Sequence, residues 1–200
     1  MALSYFMNPS TDTQADSVPL CVDLDGTLVR SDTLIESVKQ MARTRFHYLF
    51  MLPWWLRKGR AGLKDMIATH VTLDAGALPY QQAFVAYLRS EHDKGRTLVL
   101  TTAAHHSIAD PIAAYLGIFD EVFATDAQRN NKGSNKRDEL IEHYGIKGFD
   151  YAGNSTADID VWREARLAIV VNPHRGVLNR AQKVATIDRV FEDRGAIWRR

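Results

Sequence analysis

Cysteine is nearly absent from this 200-residue chain; Cys21 is the single one and sits in the apolar run Pro19-Leu20-Cys21-Val22. One cysteine excludes an intramolecular disulfide framework and suits a reducing compartment. No basic or His residue adjoins it in sequence to lower its pKa, so a small buried core position is the expected role. An excess of either charge is also lacking, with 25 Lys and Arg against 24 Asp and Glu. That balance gives no electrostatic footprint for a nucleic-acid partner, so any phosphate recognition has to be local. No stretch reaches the roughly 18 uninterrupted apolar residues of a spanning helix. Residues 1–17 lack the charged start and apolar centre of a signal peptide and read as a disordered cytoplasmic tail.

What is present is enough apolar material for a core, 46% hydrophobic against 24% charged residues. This fits one globular domain, or a core domain carrying an insert. Short β-rich runs at 19–23, 97–101, 121–124, 149–152 and 167–171 read as buried strands. Helical patterns at 108–116, 136–144 and 159–165 lie between them. The alternation predicts an α/β fold with a parallel sheet covered on both faces and ligands at the carboxyl ends of its strands. Pro111 inside the 108–116 pattern predicts a helix capped by Asp110, with Pro111 in its first position.

The expected organisation is a core of 18–30 and 96–194, an all-α insert over 31–95 after the first strand, and a tail or linker at 195–200. In the insert, Thr33 and Glu36 have capping-box spacing, and Leu34, Ile35, Val38, Met41 and Ala42 mark one helical face. Further helical patterns cover 61–70 and 80–90.

The strongest chemical signal is Val22-Asp23-Leu24-Asp25-Gly26-Thr27-Leu28, which ends the first strand and turns on a glycine. Alternation along an extended end points Asp23 and Asp25 to the same side, where a divalent cation would relieve the repulsion of two carboxylates. Oxygen donors select a hard cation such as Mg2+. Asp23 then has the position of a nucleophile that attacks phosphorus in line, and Asp25 that of the general acid and base, with an aspartyl-phosphate between the two steps. His105 and His106 are adjacent, point in different directions and receive no role. The other five His residues lack metal-ligand spacing and read as surface or packing residues.

The segment from Asp23 to Thr27 resembles the first signature of the haloacid dehalogenase superfamily, which implies a Rossmann-like core. The resemblance extends to Leu98-Val99-Leu100-Thr101-Thr102-Ala103, similar to the second signature, and it implies that Thr102, with Gly26 and Ala103, binds the phosphoryl oxygens. For the lysine of the third signature both Lys132 and Lys136 qualify, Lys136 by its helix-start position and Lys132 by its Lys-Gly context. The fourth signature is met at Gly153-Asn154-Ser155-Thr156-Ala157-Asp158, with an amide where a carboxylate is usual. It implies Asp23, Asp25, Asn154 and Asp158 around Mg2+, with one formal charge fewer than the usual site.

Several stretches, Leu78-Pro79-Tyr80 and Ile169-Val170-Val171-Asn172-Pro173 among them, are similar to the phosphatase-like domain that precedes a UbiA-like membrane prenyltransferase in bacterial fusion proteins. The resemblance implies a phosphorylated small-molecule or lipid-linked substrate and a prenyltransferase partner. It also implies that Val190-Phe191-Glu192-Asp193-Arg194 approaches the join to the membrane part. The run from Phe46 to Leu56, dense in aromatics and followed by Arg57, Lys58, Arg60 and Lys64, fits two readings: packing inside the helical insert or against the core, and, as the prenyltransferase resemblance implies, contact with the inner face of the membrane or a lipid-linked substrate.

Overall fold

The computed structural model describes residues 18–44, 50, 54, 57, 73–125 and 133–192, the side chains of 41 and 44 excepted. The expected tails, the 61–70 pattern, Lys132 and most of the aromatic run at 46–56 lie outside the described residues. Six strands form one sheet: β1 (Leu20–Val22), β2 (Leu98–His105), β3 (Glu121–Thr125), β4 (Asp150–Gly153), β5 (Ala168–Val171) and β6 (Ile187–Phe191). Every pairing is parallel and the order is β3-β2-β1-β4-β5-β6. This is the α/β Rossmann-like architecture that the alternating pattern predicts.

Alternate residues of the strands feed two cores. Leu20, Val22, Leu98, Leu100, Ile169 and Val171 point into one. Over them pack α2 (Gln82–Asp93), through Phe84, Val85 and Leu88, and α3 (His106–Leu116), through Ile108, Ala109 and Ile112. Cys21, Val99, Tyr151, Ala168 and Val170 point into the other, under α4 (Ser134–Tyr144), α5 (Ile159–Glu164) and α6 (Val177–Ala181). Burial on both faces is why the strand sequences read as continuous apolar runs rather than alternating ones. Cys21 is fully buried, and burial pushes its thiol far above the ordinary range, so it is an inert core residue. The helix α2, read from sequence as part of the insert, packs on the sheet in the same core as α3, with Phe84 and Tyr87 against Phe191 of β6.

Four local expectations change. The helix at 108–116 begins earlier, at His106, and its N-cap is His105, whose ring nitrogen accepts from the Ser107 amide. Asp110 is not the cap; it faces His106, 3.0 Å away one turn back, and Pro111 lies inside the helix. At α1 (Thr33–Thr44) the cap moves one residue back: Asp32 accepts from the Leu34 amide, and the Thr33 amide donates to Asp25. That tie turns the helix so that Thr33 and Ser37 are buried, whereas Ile35, expected on the apolar face, is 52% exposed. Finally, residues 187–191 are the edge strand β6, hydrogen-bonded to β5, so Val190 and Phe191 belong to the sheet.

Candidate functional site

The chain leaves β1 for β2 on one side and later returns to β4 on the other, so the carboxyl ends of β1 and β4 flank the point where the strand order reverses. Crevices form there because the helices that follow the two strands diverge. Asp23 follows β1 and Asn154 follows β4. Both line a cavity of about 360 Å3, together with Asp25, Gly26, Ala103, Lys136 and Asp158.

Asp23 continues the alternation of Cys21 and so faces α4. Lys136 stands in the first turn of α4, one turn ahead of the buried Leu140, and a face that buries Leu140 also carries Lys136 inward. Its ammonium donates to Asp23 Oδ1 at 2.6 Å, and Thr27 Oγ donates to Asp23 Oδ2 at 3.2 Å. Burial pushes the Asp23 carboxyl up to about 6, against the pull of Lys136 and with the help of Asp158 and Asp25. For Lys136, burial pulls the ammonium down, but Asp23 and Asp158 outweigh it and hold the group above its ordinary value. The pair is therefore charged yet strained by its own desolvation.

Asp25 sits at the mouth, with Oδ1 accepting from the Thr33 amide at 2.7 Å. The start of α1 thus fixes the direction of this carboxylate. Gly26 adopts φ +78°, and a Cβ there would lie 2.1 Å from Asn154 Nδ2. Only glycine lets the loop after β1 close against the Asn154 side chain. Asn154 itself is buried.

Asp158 lines the cavity with its oxygens already occupied. Oδ2 accepts from the Asn154 amide, the Ser155 amide and Ser155 Oγ at 2.8–3.0 Å, and Oδ1 accepts from Tyr151 Oη at 2.7 Å. A carboxylate has about four lone-pair directions, so the set is filled, three bonds holding the loop that carries Asn154 and the fourth coming from Tyr151. Ala103 lines the cavity; Thr102 is buried one residue earlier, its hydroxyl accepting from the Ala104 amide at 3.0 Å. Thr101 is also buried, and its hydroxyl has no partner among the described residues.

Sequence reading missed three residues that belong here. Tyr151 joins Lys136 and Asp158, but inside an apolar strand it reads only as packing. Arg30 and His174 line the cavity mouth from the loops after β1 and β5. His174, read as a surface or packing residue, is brought there because its amide donates to the Asn154 carbonyl. The Pro173 turn ahead of it was the available signal.

Could these residues hold Mg2+? Two carboxylates and a buried amide oxygen around one cavity are hard oxygen donors, which suits that ion. Among the described residues no group of three His, Cys, Asp or Glu is arranged for a metal, and Asn154 lines the same cavity as Asp23 and Asp25 with a neutral oxygen donor. The close approach of Asn154 to Gly26 brings that amide to the loop of the two aspartates.

Comparison with known proteins follows the same lines. Residues 20–163 match the family model of haloacid dehalogenase-like hydrolases. The uncharacterized protein y4nM of Sinorhizobium fredii is 37% identical over 162 residues, which is 77% of this chain but 30% of that protein. The chain therefore spans about a third of the length of the curated relative it matches. Among solved structures, a protein of unknown function from Bordetella pertussis Tohama I aligns with TM-score 0.65 at 17% identity, covering 89% of this chain and 99% of the other. A substrate-bound phosphoserine phosphatase aligns with TM-score 0.59 at 14% identity, covering 90% and 95%. A 3-deoxy-D-manno-octulosonate 8-phosphate phosphatase from Moraxella catarrhalis, solved with magnesium and phosphate ions, aligns with TM-score 0.50 at 15% identity, covering 89% and 78%. These likenesses show the fold, and the match over residues 20–163 shows more: the chain belongs to the haloacid dehalogenase-like hydrolase family.

Proposed function

We propose that the chain is a phosphate monoester hydrolase that works through an aspartyl-phosphate on Asp23. The observation that carries the reading is the buried Asp23–Lys136 pair at the strand-order switch, facing the same cavity as Asp25 and Asn154. Asp23 attacks phosphorus with a carboxylate oxygen and the ester oxygen leaves, taking a proton from Asp25. Asp25 then removes a proton from water, which attacks the same phosphorus and frees Asp23. Lys136 neutralises the carboxylate and the transferred group. Thr102, with the amides near Gly26 and Ala103, is assigned to the phosphoryl oxygens. Lys132 is the other lysine with the right context. Asp23, Asp25 and Asn154 would hold Mg2+, with Asp158 serving them by fixing the Asn154 loop; when bound, the ion neutralises charge at the phosphoryl group.

For substrate, the described walls favour a polar phosphate ester such as a sugar phosphate, since Arg30, Ser31, Asp32 and His174 surround the mouth. A prenyl-linked phosphate handled together with a UbiA-like membrane prenyltransferase is the finer proposal. It is supported by the sequence resemblance, by the greater length of the y4nM relative and by the exposure of Phe50 and Trp54 in the aromatic run. No helix of the described residues is long and apolar enough to cross a membrane, so such contact would be interfacial.

The test is phosphate release from an aryl phosphate with magnesium, followed by a panel of sugar and prenyl phosphates. Asp23→Asn is expected to lose activity by a factor on the order of 10³ or more. Equal rates in parent and variant would remove Asp23 as nucleophile. One observation favours a second reading, a catalytically weak module that binds phosphorylated ligands: the neutral Asn154 in place of a carboxylate. A parent that is stabilised against heat by inorganic phosphate with magnesium, but turns over none of the panel, would favour it.

A further inference from the structure

We propose that Tyr151 is a positioning residue of this site, its phenol holding the Lys136 ammonium in place while the charge on Asp23 changes. The inference rests on the phosphatase reading for its timing, and on distances for its geometry.

Tyr151 is fully buried in β4, on the α4 face of the sheet. Its hydroxyl accepts from Lys136 Nζ at 3.2 Å and donates to Asp158 Oδ1 at 2.7 Å. The same ammonium lies 5.7 Å from the centre of the Tyr151 ring, out beyond its hydroxyl. The ring is held in turn: it meets Trp162 edge-on with centroids 6.4 Å apart, and the indole N–H donates to the Tyr151 carbonyl at 3.1 Å. A phenol both accepts and donates, which the chain Lys136 to Tyr151 to Asp158 requires. Burial, Asp158 and Asp23 all hold the phenol in its protonated form.

The need for a second anchor follows from the chemistry. In the resting site Lys136 is bound by the full charge of Asp23 at 2.6 Å. When Asp23 becomes an acyl phosphate, its own oxygen is esterified and that charge moves out to the phosphoryl group. A lysine held only by Asp23 would follow the charge or swing away. One held also by Tyr151 keeps its direction for the second step. Through Asp158, whose other oxygen takes three bonds from Asn154 and Ser155, the phenol also ties the lysine to the loop of the proposed metal site.

The decisive experiment compares Tyr151→Phe in the parent and in a Lys136→Ala background, with an aryl phosphate at saturating magnesium. The ring and its packing remain, and only the hydroxyl is removed. The expected result is a fall in kcat of about 10- to 100-fold, with KM changed less than about 3-fold, and no further fall when Lys136 is already absent. A kcat equal to the parent, or the same fractional loss in both backgrounds, would overturn the proposal. A second measurement does not depend on turnover: the side-chain 15N signal of Lys136, assigned by its loss in Lys136→Ala. We expect it to persist in the parent through slow hydrogen exchange and to vanish by exchange broadening in Tyr151→Phe. An unchanged signal would overturn the role even if the parent proved inactive, whereas inactivity with the expected broadening would count against the phosphatase reading alone.

Discussion

Two buried aspartates occupy opposite ends of the neighbouring strands β1 and β4, and the contrast between them separates a charge saturated by protein donors from one that faces a cavity. Asp150 opens β4 at the amino end of the sheet, opposite Leu20. Its carboxylate accepts from Arg96 Nη2, from Arg166 Nε at 2.9 Å and Nη2 at 2.7 Å, and from the Leu167 amide at 3.1 Å. Arg96 is held in its turn by Glu91 and the Val18 carbonyl. Asp23 follows β1 at the carboxyl end, with one lysine and one hydroxyl as side-chain donors, and it lines the cavity. Saturation by protein donors leaves Asp150 nothing to do but hold segments together. Asp23 takes only one side-chain donor on each oxygen, with three carboxylates gathered near a single ammonium, so these donors leave lone-pair directions on both oxygens unfilled.

The contrast breaks most visibly at Asp150. Asp150→Ala strands two arginines around an apolar gap and is expected to cost about 3–5 kcal/mol in urea denaturation, with kcat per folded molecule unchanged. Asp23→Asn should do the reverse. Its amide still accepts from Lys136, and the loss of one negative charge relieves repulsion from Asp25 and Asp158, so stability should change by less than about 1 kcal/mol. A stability loss at Asp23 as large as that at Asp150 would erase the distinction.

A smaller effect sharpens the carboxyl end. Gly26→Ala meets both a left-handed backbone and the Asn154 side chain, whereas Gly117→Ala, at φ +62° with nothing near its Cβ, meets the backbone strain alone. Gly117→Ala should lose about 1–2 kcal/mol, and Gly26→Ala more. Only Gly26→Ala should also raise the magnesium concentration needed for half-maximal activity, because it displaces Asn154. A magnesium requirement that stays at the parent value would remove Asn154 from the cation site.

The smallest effect belongs to the amino end. Burial raises the Glu91 carboxyl, but hydrogen bonds from Lys94 and Arg96 outweigh it and leave the group below its ordinary value. A carboxyl depressed in the folded state contributes stability above its unfolded pKa, and that contribution is lost as pH falls through the folded value. Glu91→Gln should therefore lower the melting temperature by a few degrees at neutral pH, and the gap to the parent should close as pH falls below the ordinary glutamate range. A gap that stays constant with pH would assign the effect to packing.

How much of this was legible in the sequence differs along the chain. The five strands from residue 20 to 171 stand within a few residues of their expected positions, because strands buried on both faces are written as apolar runs. β6 escaped because its pattern is mostly exposed: an edge strand covered on one side carries Asp188 and Arg189 between its apolar residues. The α3 start escaped because a capping His has no strong sequence signature, while Asp-Pro has one. At the site, Asp23 and Asp25 were legible from two carboxylates at the turn of a strand. Tyr151 and His174 were not, since a phenol in an apolar run and a lone His look the same whether they pack or bind.

By itself the sequence determined the α/β class, the strand ends where chemistry gathers and the residue types available there, since all of these follow from local periodicity and turn chemistry. Only the tertiary structure decided which partner each charge has. Lys136 and Asp23 are 113 residues apart, and Asp150 meets Arg96 across 54. The α4 face that buries Leu140 aims the lysine at the cavity, and the parallel register of β1 with β4 puts one aspartate at each end of the sheet. Whether a buried carboxylate is saturated or keeps unfilled lone-pair directions depends on those long-range placements, which no local pattern encodes.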